Sequence, residues 1–319
     1  MKKQALSRRA FVGGAVAGVM AAGMVWHARA EDAKTAGGHA IRLGAPVDAG
    51  SDDPEAMALA HRRLGYRAAY CPDVKLADKD RIRAVSEAFA RHDVVIAEVG
   101  RWCNLLDTDE AKRKENLKTV IDGLALADEI GARCCVDIAG SYNKETWFGP
   151  HPDNLSGQYF DAAVENARAI IDAVKPGRAK FSYEMMGWAV PDGPDAYLAL
   201  IKAIDRDGFG VHLDPCNAVN CPGRFYRNAD LLNECFSKLG PHIVSCHAKD
   251  LVWDIEMNVH FREVGPGQGK MDYTAWLKGL AALPNDVPLM MEHLAAVKDY
   301  DAPRQYLFEL GPKAGVRFE

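Results

Sequence analysis

Residues 180–214 read KFSYEMMGWAVPDGPDAYLALIKAIDRDGFGVHLD. The stretch begins with an apolar, strand-like run at Lys180–Glu184 and ends with a second such run at Gly210–Asp214. Between the two runs lie a loop that contains proline and glycine and then a segment with apolar residues at helical spacing. A strand, a loop, a helix and another strand in this order predict two parallel strands that are joined by a crossover helix.

The same alternation recurs from residue 40 onward, and it yields eight strand-like runs in all. These runs are Ile41–Ala45, Arg67–Cys71, Val94–Val99, Arg133–Ile138, Lys180–Glu184, Gly210–Asp214, Ile243–Ala248 and Pro288–Glu292. Eight strand–helix units close a (β/α)₈ barrel of roughly 250 residues. An open doubly wound sheet is the alternative, but Leu43–Val47 lacks the glycine-rich phosphate fingerprint that is typical of that fold. We therefore predict a single-domain α/β protein, a (β/α)₈ TIM barrel, over residues 40–319.

The first thirty residues have a different composition from the rest of the chain. Four cations among the first nine residues precede an apolar, glycine-rich stretch from Phe11 to Val25, and Ala28-Arg29-Ala30 follows it. This is the layout of a cleavable export signal. Ser7–Phe11 also resembles the twin-arginine motif of bacterial export. A membrane anchor is the alternative, but the apolar run is short for a span of roughly 20 residues.

We therefore expect residues 1–30 to be a signal peptide that is cleaved after Ala30, and residues 31–39 to be a short linker. The twin-arginine translocase would be the partner during export, and the periplasm would be the location. Cleavage removes five cations and no acid, so the net charge changes from −5 to about −10. An acidic protein without a basic face is a poor partner for nucleic acid.

The eight cysteines include no C-x-x-C pair, so the chain lacks both a zinc knuckle and a thioredoxin-like motif. An oxidising destination permits disulfides. Cys216 and Cys221 are the pair to examine first, and the sequence leaves open whether they are joined.

Two long loops follow strand-like runs, on the face where (β/α)₈ barrels carry out their chemistry. Residues 139–157 follow the fourth run, and we expect Trp147 and His151 in this loop to contact substrate. Residues 249–271 follow the seventh run, and the alternation within Ile255–Val264 predicts a β-hairpin.

Four consecutive runs end in a side chain that is able to bind a metal. These residues are Glu184, Asp214, His247 and Glu292. Each alone would suit a helix cap, an ion pair or a buried histidine, but burying four ionisable groups together without a cation is costly. Strand ends of a barrel converge on one axis, and three carboxylates with one imidazole suit a hard divalent ion. We predict one divalent metal ion, with Mn²⁺ preferred and Mg²⁺, Co²⁺ or Zn²⁺ as alternatives.

At these residues the sequence resembles the xylose-isomerase-like barrels, and within them the sugar isomerase/epimerase group that includes the ketose 3-epimerases. The resemblance covers roughly residues 40–315. It rests on five motifs, which are YEMMG at 183–187, HLDPCN at 212–217, HAKD at 247–250, REVGPGQG at 262–269 and EH at 292–293.

The resemblance implies that the four strand-end residues are the metal ligands. It also implies that Glu184 and Glu292 exchange a proton with the sugar carbon beside the carbonyl, and that Arg262 holds substrate oxygens. His212 lies two residues before Asp214, so both side chains are expected to point inward. We expect His212 either to bind a hydroxyl or act as an acid/base group, or to be a buried core histidine.

One position departs from the pattern of the ketose 3-epimerases. Those enzymes have a histidine three positions after the strand-six aspartate, whereas this chain has Asn217. Asparagine is able to hydrogen-bond a substrate hydroxyl but does not carry a proton at neutral pH. Glu98, at the end of the third run, is a further candidate for substrate binding, because the glutamate at that place binds no metal in the mononuclear epimerases.

The resemblance implies a metal-dependent sugar isomerase or epimerase that acts on a carbohydrate or keto-sugar through a cis-enediolate. Return of the proton to the same carbon gives an epimer, and return to the adjacent carbon gives an aldose–ketose isomer. The sequence does not separate these outcomes, and it does not identify the sugar. Related barrels form homodimers or homotetramers, and the sequence leaves that choice open as well.

Three other functions remain as alternatives. The same carbanion chemistry on a 3-keto-glycoside would expel the glycosidic substituent by β-elimination, which makes a lyase or hydrolase. A non-catalytic periplasmic carbohydrate-binding barrel would use the metal for structure alone. An apurinic-site endonuclease shares the barrel but needs three zinc ions and a basic groove, so the acidic chain and its single ligand set argue against that activity.

Overall fold

The structure is a computed structural model that describes residues 38–319. The predicted signal peptide, residues 1–30, lies outside the described residues. Eight parallel strands form a closed barrel, because the first strand pairs with both the second and the last. These strands are β1 (Leu43–Gly44), β2 (Ala68–Tyr70), β3 (Val95–Gly100), β4 (Cys134–Asp137), β5 (Lys180–Glu184), β6 (Phe209–Leu213), β7 (Ile243–Ala248) and β10 (Leu289–Met291). The predicted (β/α)₈ fold is therefore confirmed.

Helices connect the strands and cover the outside of the barrel. The α-helices are α1 (Pro54–Arg63), α2 (Lys79–Arg91), α3 (Glu110–Ile130), α4 (Gly157–Val174), α5 (Pro194–Ile204), α6 (Pro215–Ala218), α7 (Pro222–Tyr226), α8 (Asn228–Leu239), α9 (Tyr273–Ala281) and α10 (Asp301–Lys313). Short 3₁₀ turns occur at Pro152–Leu155, Gly240–His242 and Val297–Tyr300. Across the described residues, no helix combines the length and the apolar character that a membrane crossing requires.

The helix boundaries follow from local chemistry. The Asp53 carboxylate accepts a hydrogen bond from the Ala56 N–H at the start of α1. Asp109 caps α3 in the same way, because its carboxylate accepts from the backbone N–H groups of the first turn. Gly131 ends α3 with a φ of 85°, a left-handed conformation that costs glycine little.

A two-stranded antiparallel hairpin stands outside the barrel. Its strands are β8 (Asp250–Trp253) and β9 (Phe261–Val264). The predicted hairpin is present, but Ile255 and Met257 lie at its tip rather than in a strand, and both are fully exposed. Their alternation with polar residues therefore does not reflect a buried face.

The Asp250 carboxylate organises the loop that follows the hairpin. One of its oxygens accepts from the Gly267 and Gly269 N–H groups at 3.0 and 2.9 Å, and the other accepts from the Met271 N–H at 2.8 Å. A Cβ atom at Gly269 would lie 2.3 Å from an Asp250 oxygen. The loop therefore requires glycine because its backbone wraps closely around a buried carboxylate.

All eight cysteines are free. Cys216 is buried and its Sγ donates to the Lys249 carbonyl, whereas Cys221 is exposed. The structure therefore does not join this pair.

Candidate metal centre and its cavity

The four predicted ligands meet at the carboxyl end of the barrel. Glu184 is the last residue of β5, Asp214 directly follows β6, His247 lies in β7, and Glu292 directly follows β10. One ligand atom from each of them lies within 4.8 Å of those from the other three. All four side chains are buried.

The ligand atoms are gathered around one imidazole nitrogen. His247 Nδ1 lies 2.9 Å from a Glu184 oxygen, 3.0 Å from a Glu292 oxygen and 3.6 Å from an Asp214 oxygen. Asp214 Oδ2 and Glu292 Oε1 accept no well-oriented hydrogen bond. The Lys249 ammonium nevertheless lies 2.7 Å from the first and 2.9 Å from the second. Buried carboxylate oxygens with free acceptor capacity, grouped with a histidine nitrogen, fit a divalent cation with hard ligands.

Glu98 lies on the other side of His247. One Glu98 oxygen is 3.1 Å from His247 Nε2, and the other accepts from His212 Nε2 at 2.8 Å and from the Ser245 hydroxyl at 3.0 Å. A carboxylate is acceptor-only when ionised, so this contact assigns a hydrogen to Nε2 of His247. The other nitrogen, Nδ1, then faces the carboxylates of Glu184, Asp214 and Glu292.

The charges of the cluster perturb one another strongly. Burial raises the pKa of Glu184, and the hydrogen bond from His247 offsets this only in part. Burial also acts to raise the pKa of Glu292, but the charges of His247 and Lys249 outweigh it and lower that pKa to about 2. Burial acts to lower the pKa of His247, yet Glu292 and Glu98 raise it well above its ordinary value. His247 is therefore cationic in this arrangement, and a metal ion at Nδ1 would displace a proton.

A cavity of about 730 Å³ opens above the cluster. Its walls differ in chemistry. The polar wall includes Glu184, Asn217, Lys249, Glu263, Glu292 and His293. The aromatic wall includes Trp102, Trp147, Phe148 and Trp188.

Two of the residues expected to bind substrate line this cavity. Trp147 is 41% exposed at its rim. The Asn217 amide donates to the Met185 carbonyl at 3.0 Å, and its oxygen accepts from Lys249 Nζ at 2.9 Å. Asn217 therefore lies at the edge of the four-residue cluster, in contact with the Lys249 ammonium that also contacts the carboxylates.

Three other candidates do not reach the cavity wall. His212 is fully buried beneath Glu98. The Arg262 guanidinium is largely exposed and pairs with Asp254 at 2.9 and 3.1 Å. Side chains alternate along a strand, so it is the neighbouring Glu263 that faces the cavity. The His151 ring caps its own turn, because its Nδ1 accepts a hydrogen bond from the Asp153 N–H at 3.3 Å.

Glu98 is a third expected residue that lies at this cavity. It touches the cavity floor, but only 1% of it is exposed and both oxygens accept hydrogen bonds from the protein. Burial acts to raise its pKa, but the neighbouring His247 and His212 hold that pKa well below its usual range. Glu98 is thus an ionised group that orients histidines, with little acceptor capacity left for a substrate.

Lys249 has a place in the site that the sequence did not predict. It is 1% exposed, and its Nζ lies between Asp214, Glu292 and Asn217. Burial acts to lower its pKa, but the surrounding carboxylates raise it well above the ordinary value, so the side chain is a cation. The available signal was its position two residues after His247, which places both side chains on one side of the strand end.

Solved structures with the same fold were found by comparison. A xylose isomerase-like TIM barrel protein from Mycobacterium smegmatis in complex with magnesium is 18% identical, with a TM-score of 0.58 over 86% of this chain and 97% of that one. D-psicose 3-epimerase in the presence of D-fructose is 12% identical, with a TM-score of 0.61 over 86% and 99%. 3-Keto-D-glucoside 4-epimerase from E. coli is 15% identical, with a TM-score of 0.57 over 85% and 98%.

At these identities the structural likeness shows the fold alone. No curated protein matches the chain in sequence. The family profile of the xylose isomerase-like TIM barrels, however, matches residues 57–310, which is most of the barrel. The chain therefore belongs to the xylose isomerase-like TIM barrel family.

Proposed function

We propose that the protein is a divalent-metal-dependent isomerase or epimerase that moves a proton on a keto-sugar. The observation that supports this most directly is the pair Glu184 and Glu292. Their carboxylate oxygens approach the same His247 nitrogen at 2.9 and 3.0 Å, from β5 and from the end of β10, and both residues line the cavity. Two carboxylates at one cation site are able to serve as ligands and as proton carriers.

The proposed metal ligands are Glu184, Asp214, His247 and Glu292, with Mn²⁺ as the first choice among hard divalent ions. When bound, such an ion polarises a substrate carbonyl and acidifies the neighbouring C–H bond. One of the two glutamates removes that proton, and a glutamate returns a proton to the same or the adjacent carbon. Lys249 keeps a positive charge beside the developing oxyanion, and Asn217 holds its ammonium in place.

The comparisons support this reaction class. Two of the structures with this fold are named as sugar epimerases, and a third is a magnesium complex. The donor set of this chain is of the same hard character, with three carboxylates and one imidazole. We further propose that the protein works in the periplasm after export through its twin-arginine signal.

The test is hydrogen exchange at the reacting carbon. Metal-stripped protein is reloaded with Mn²⁺, Mg²⁺, Co²⁺ or Zn²⁺ and incubated in D₂O with a panel of ketoses and keto-glycosides. We expect ¹H NMR to show deuterium at the carbon beside the carbonyl. Glu184→Gln and Glu292→Gln should abolish the incorporation, whereas Glu87→Gln, a change at an exposed carboxylate on α2, should leave it intact. Absence of deuterium with every metal and sugar would refute proton transfer.

The same incubation distinguishes the proposed reaction from the two alternative functions. Release of the glycosidic substituent from a 3-keto-glycoside would identify an elimination rather than an isomerisation. Tight sugar binding that is unchanged in Glu184→Gln, without any exchange, would identify a carbohydrate-binding barrel.

A further inference from the structure

We propose that the cavity contains a second sugar subsite, formed by Trp102, Trp147 and Phe148, which binds a pyranose ring attached to the reacting unit. The substrate would then be a disaccharide-sized glycoside rather than a free monosaccharide. This inference rests on the proposed function for the first unit, and it adds the identity of the second.

The placement of these residues in the barrel sets them apart from Glu292, whereas Glu184 ends β5, the strand next to β4. The strands follow one another around the ring in the order β1, β2, β3, β4, β5, β6, β7 and β10. Trp147 and Phe148 lie in the loop after β4, the fourth strand of the ring, and Glu292 follows β10, the eighth. In a ring of eight these two positions are opposite, so the aromatic wall lies across the cavity from Glu292.

The size of the cavity leaves room for a second unit. Ligand pockets for drug-sized molecules have roughly 300–1,000 Å³, and this cavity has about 730 Å³. A single hexose bound at the ligand cluster would not fill that volume. Trp102, Trp147 and Phe148 line the same cavity.

The aromatic side chains are exposed, and each contacts a neighbouring residue. Trp102, Trp147 and Phe148 are 44%, 41% and 47% exposed. The rings of Trp147 and Phe148 pack edge to face with centroids 5.0 Å apart. Trp102 folds back over Gly100, where a Cβ atom would lie only 2.7 Å from the indole Nε1. Each ring of this aromatic platform therefore has a contact within the protein, and close to half of each side chain is open to a ligand.

The surroundings of the platform fit a sugar ring. A pyranose has apolar C–H faces and a rim of hydroxyls, so it suits an aromatic face that is bordered by polar groups. The polar wall of the same cavity, which includes Asn217, Glu263 and His293, supplies such groups.

Calorimetry on the Mn²⁺-loaded protein tests the subsite. The probes are D-glucose, the disaccharides maltose, cellobiose and gentiobiose, and 4-nitrophenyl β-D-glucoside. We expect at least one disaccharide to bind at least about tenfold more tightly than glucose, because a stacked ring adds a contact of aromatic type. Trp147→Ala should remove this advantage, so that the affinity for the disaccharide falls to about the affinity for glucose. Tyr226→Ala, which removes an aromatic ring that is 74% exposed and outside the cavity, is the matched control and should change neither affinity.

A second variant protects the test against a folding defect. Gly100→Ala keeps all three aromatic rings but pushes the Trp102 indole away, so it should reduce the disaccharide advantage and leave glucose binding unchanged. Circular dichroism should confirm that each variant is folded.

Three outcomes would overturn the proposal. They are the absence of any disaccharide preference across the panel, an equal loss of glucose and disaccharide binding in Trp147→Ala, and a gain for the nitrophenyl glucoside that matches the best disaccharide. The last result would assign the platform to an aryl group. These binding measurements involve no turnover, so they are independent of the proposed reaction. A disaccharide preference without deuterium exchange would reject the reaction and keep the subsite. Deuterium exchange without a disaccharide preference would keep the reaction and reject the subsite.

Discussion

Replacement of Glu98 by glutamine tests how His247, a proposed metal ligand, is held in position. In the wild-type protein the carboxylate of Glu98 accepts from His247 Nε2 at 3.1 Å, from His212 Nε2 at 2.8 Å and from Ser245 at 3.0 Å. Glutamine has the same shape, but it carries no charge and presents a donor at one of its two terminal atoms.

The expected magnitude follows from these contacts. If the amide oxygen serves His212 and Ser245, the amide N–H group faces the Nε2 hydrogen of His247. Either that hydrogen bond is lost, or His247 moves its hydrogen to Nδ1, the nitrogen proposed to bind the metal. Loss of a partner of this kind weakens metal binding by about 10–100-fold, which corresponds to about 1.4–2.7 kcal/mol.

The assay is calorimetric titration of metal-stripped protein with Mn²⁺, supported by the visible spectrum of the Co²⁺ form. Asp137→Asn is the matched control, because Asp137 is a fully buried carboxyl at the end of the adjacent strand β4. Burial raises the pKa of this carboxyl well above its usual range, whereas the pKa of Glu98 is held low. Its partners are Cys103 and the Ile138 N–H, not the histidines.

We expect Asp137→Asn to bind Mn²⁺ like the wild type and Glu98→Gln to bind it more weakly. The thermal stabilisation that Mn²⁺ confers on the protein should shrink in the same order, because a ligand stabilises the folded state according to its affinity. Equal Mn²⁺ affinity and an unchanged Co²⁺ spectrum in Glu98→Gln would refute the orienting role of Glu98.

Three further predictions concern other parts of the molecule. Gly269→Ala should lower the free energy of unfolding by about 1–3 kcal/mol in urea titrations, because the added Cβ meets the Asp250 carboxylate that organises the loop; an unchanged midpoint would contradict this. Burial lowers the pKa of His61 from 6.5 to about 4. The unfolded chain therefore takes up a proton that the folded protein does not as the pH falls from 6.5 to 4, and stability declines. His61→Phe should remove about 3 kcal/mol of the stability difference between pH 7 and pH 4, and equal pH dependence in the two proteins would count against burial as the cause. Replacement of Arg8 and Arg9 by lysine should retain the precursor in the cytoplasm of a bacterial host, as immunoblots of cell fractions would show; normal export would exclude the twin-arginine route.

The sequence predicted the barrel well because its signals are local. Eight apolar runs, separated by helical spacing and capped at residues such as Asp53 and Asp109, each report on a few neighbouring residues. The strand ends in the structure fall within two residues of the predicted runs. The hairpin was the weaker case. The alternation around Ile255 and Met257 looked like a strand, yet those residues form its exposed tip.

The same difference between local and long-range signals applies to the candidate site. Glu184, Asp214, His247 and Glu292 were found from sequence because each ends a strand, and strand ends of a barrel must converge. For Arg262 the sequence supplied a motif but no orientation. In the structure it is the next residue on β9, Glu263, that faces the cavity. Arg262 points into solvent and pairs with Asp254.

The sequence by itself determined the barrel and the four residues that meet at its mouth, because the period of the apolar residues and the position of each strand end are properties of short segments. Only the tertiary structure decided what surrounds those residues. It placed Glu98 behind His247, buried the Lys249 cation among the carboxylates and set the aromatic wall across the cavity from Glu292. These relations join side chains that are between 35 and 190 residues apart in the chain. They depend on the barrel register and on the path of each loop, which are decided by packing across the whole fold and not by the residues next to each side chain.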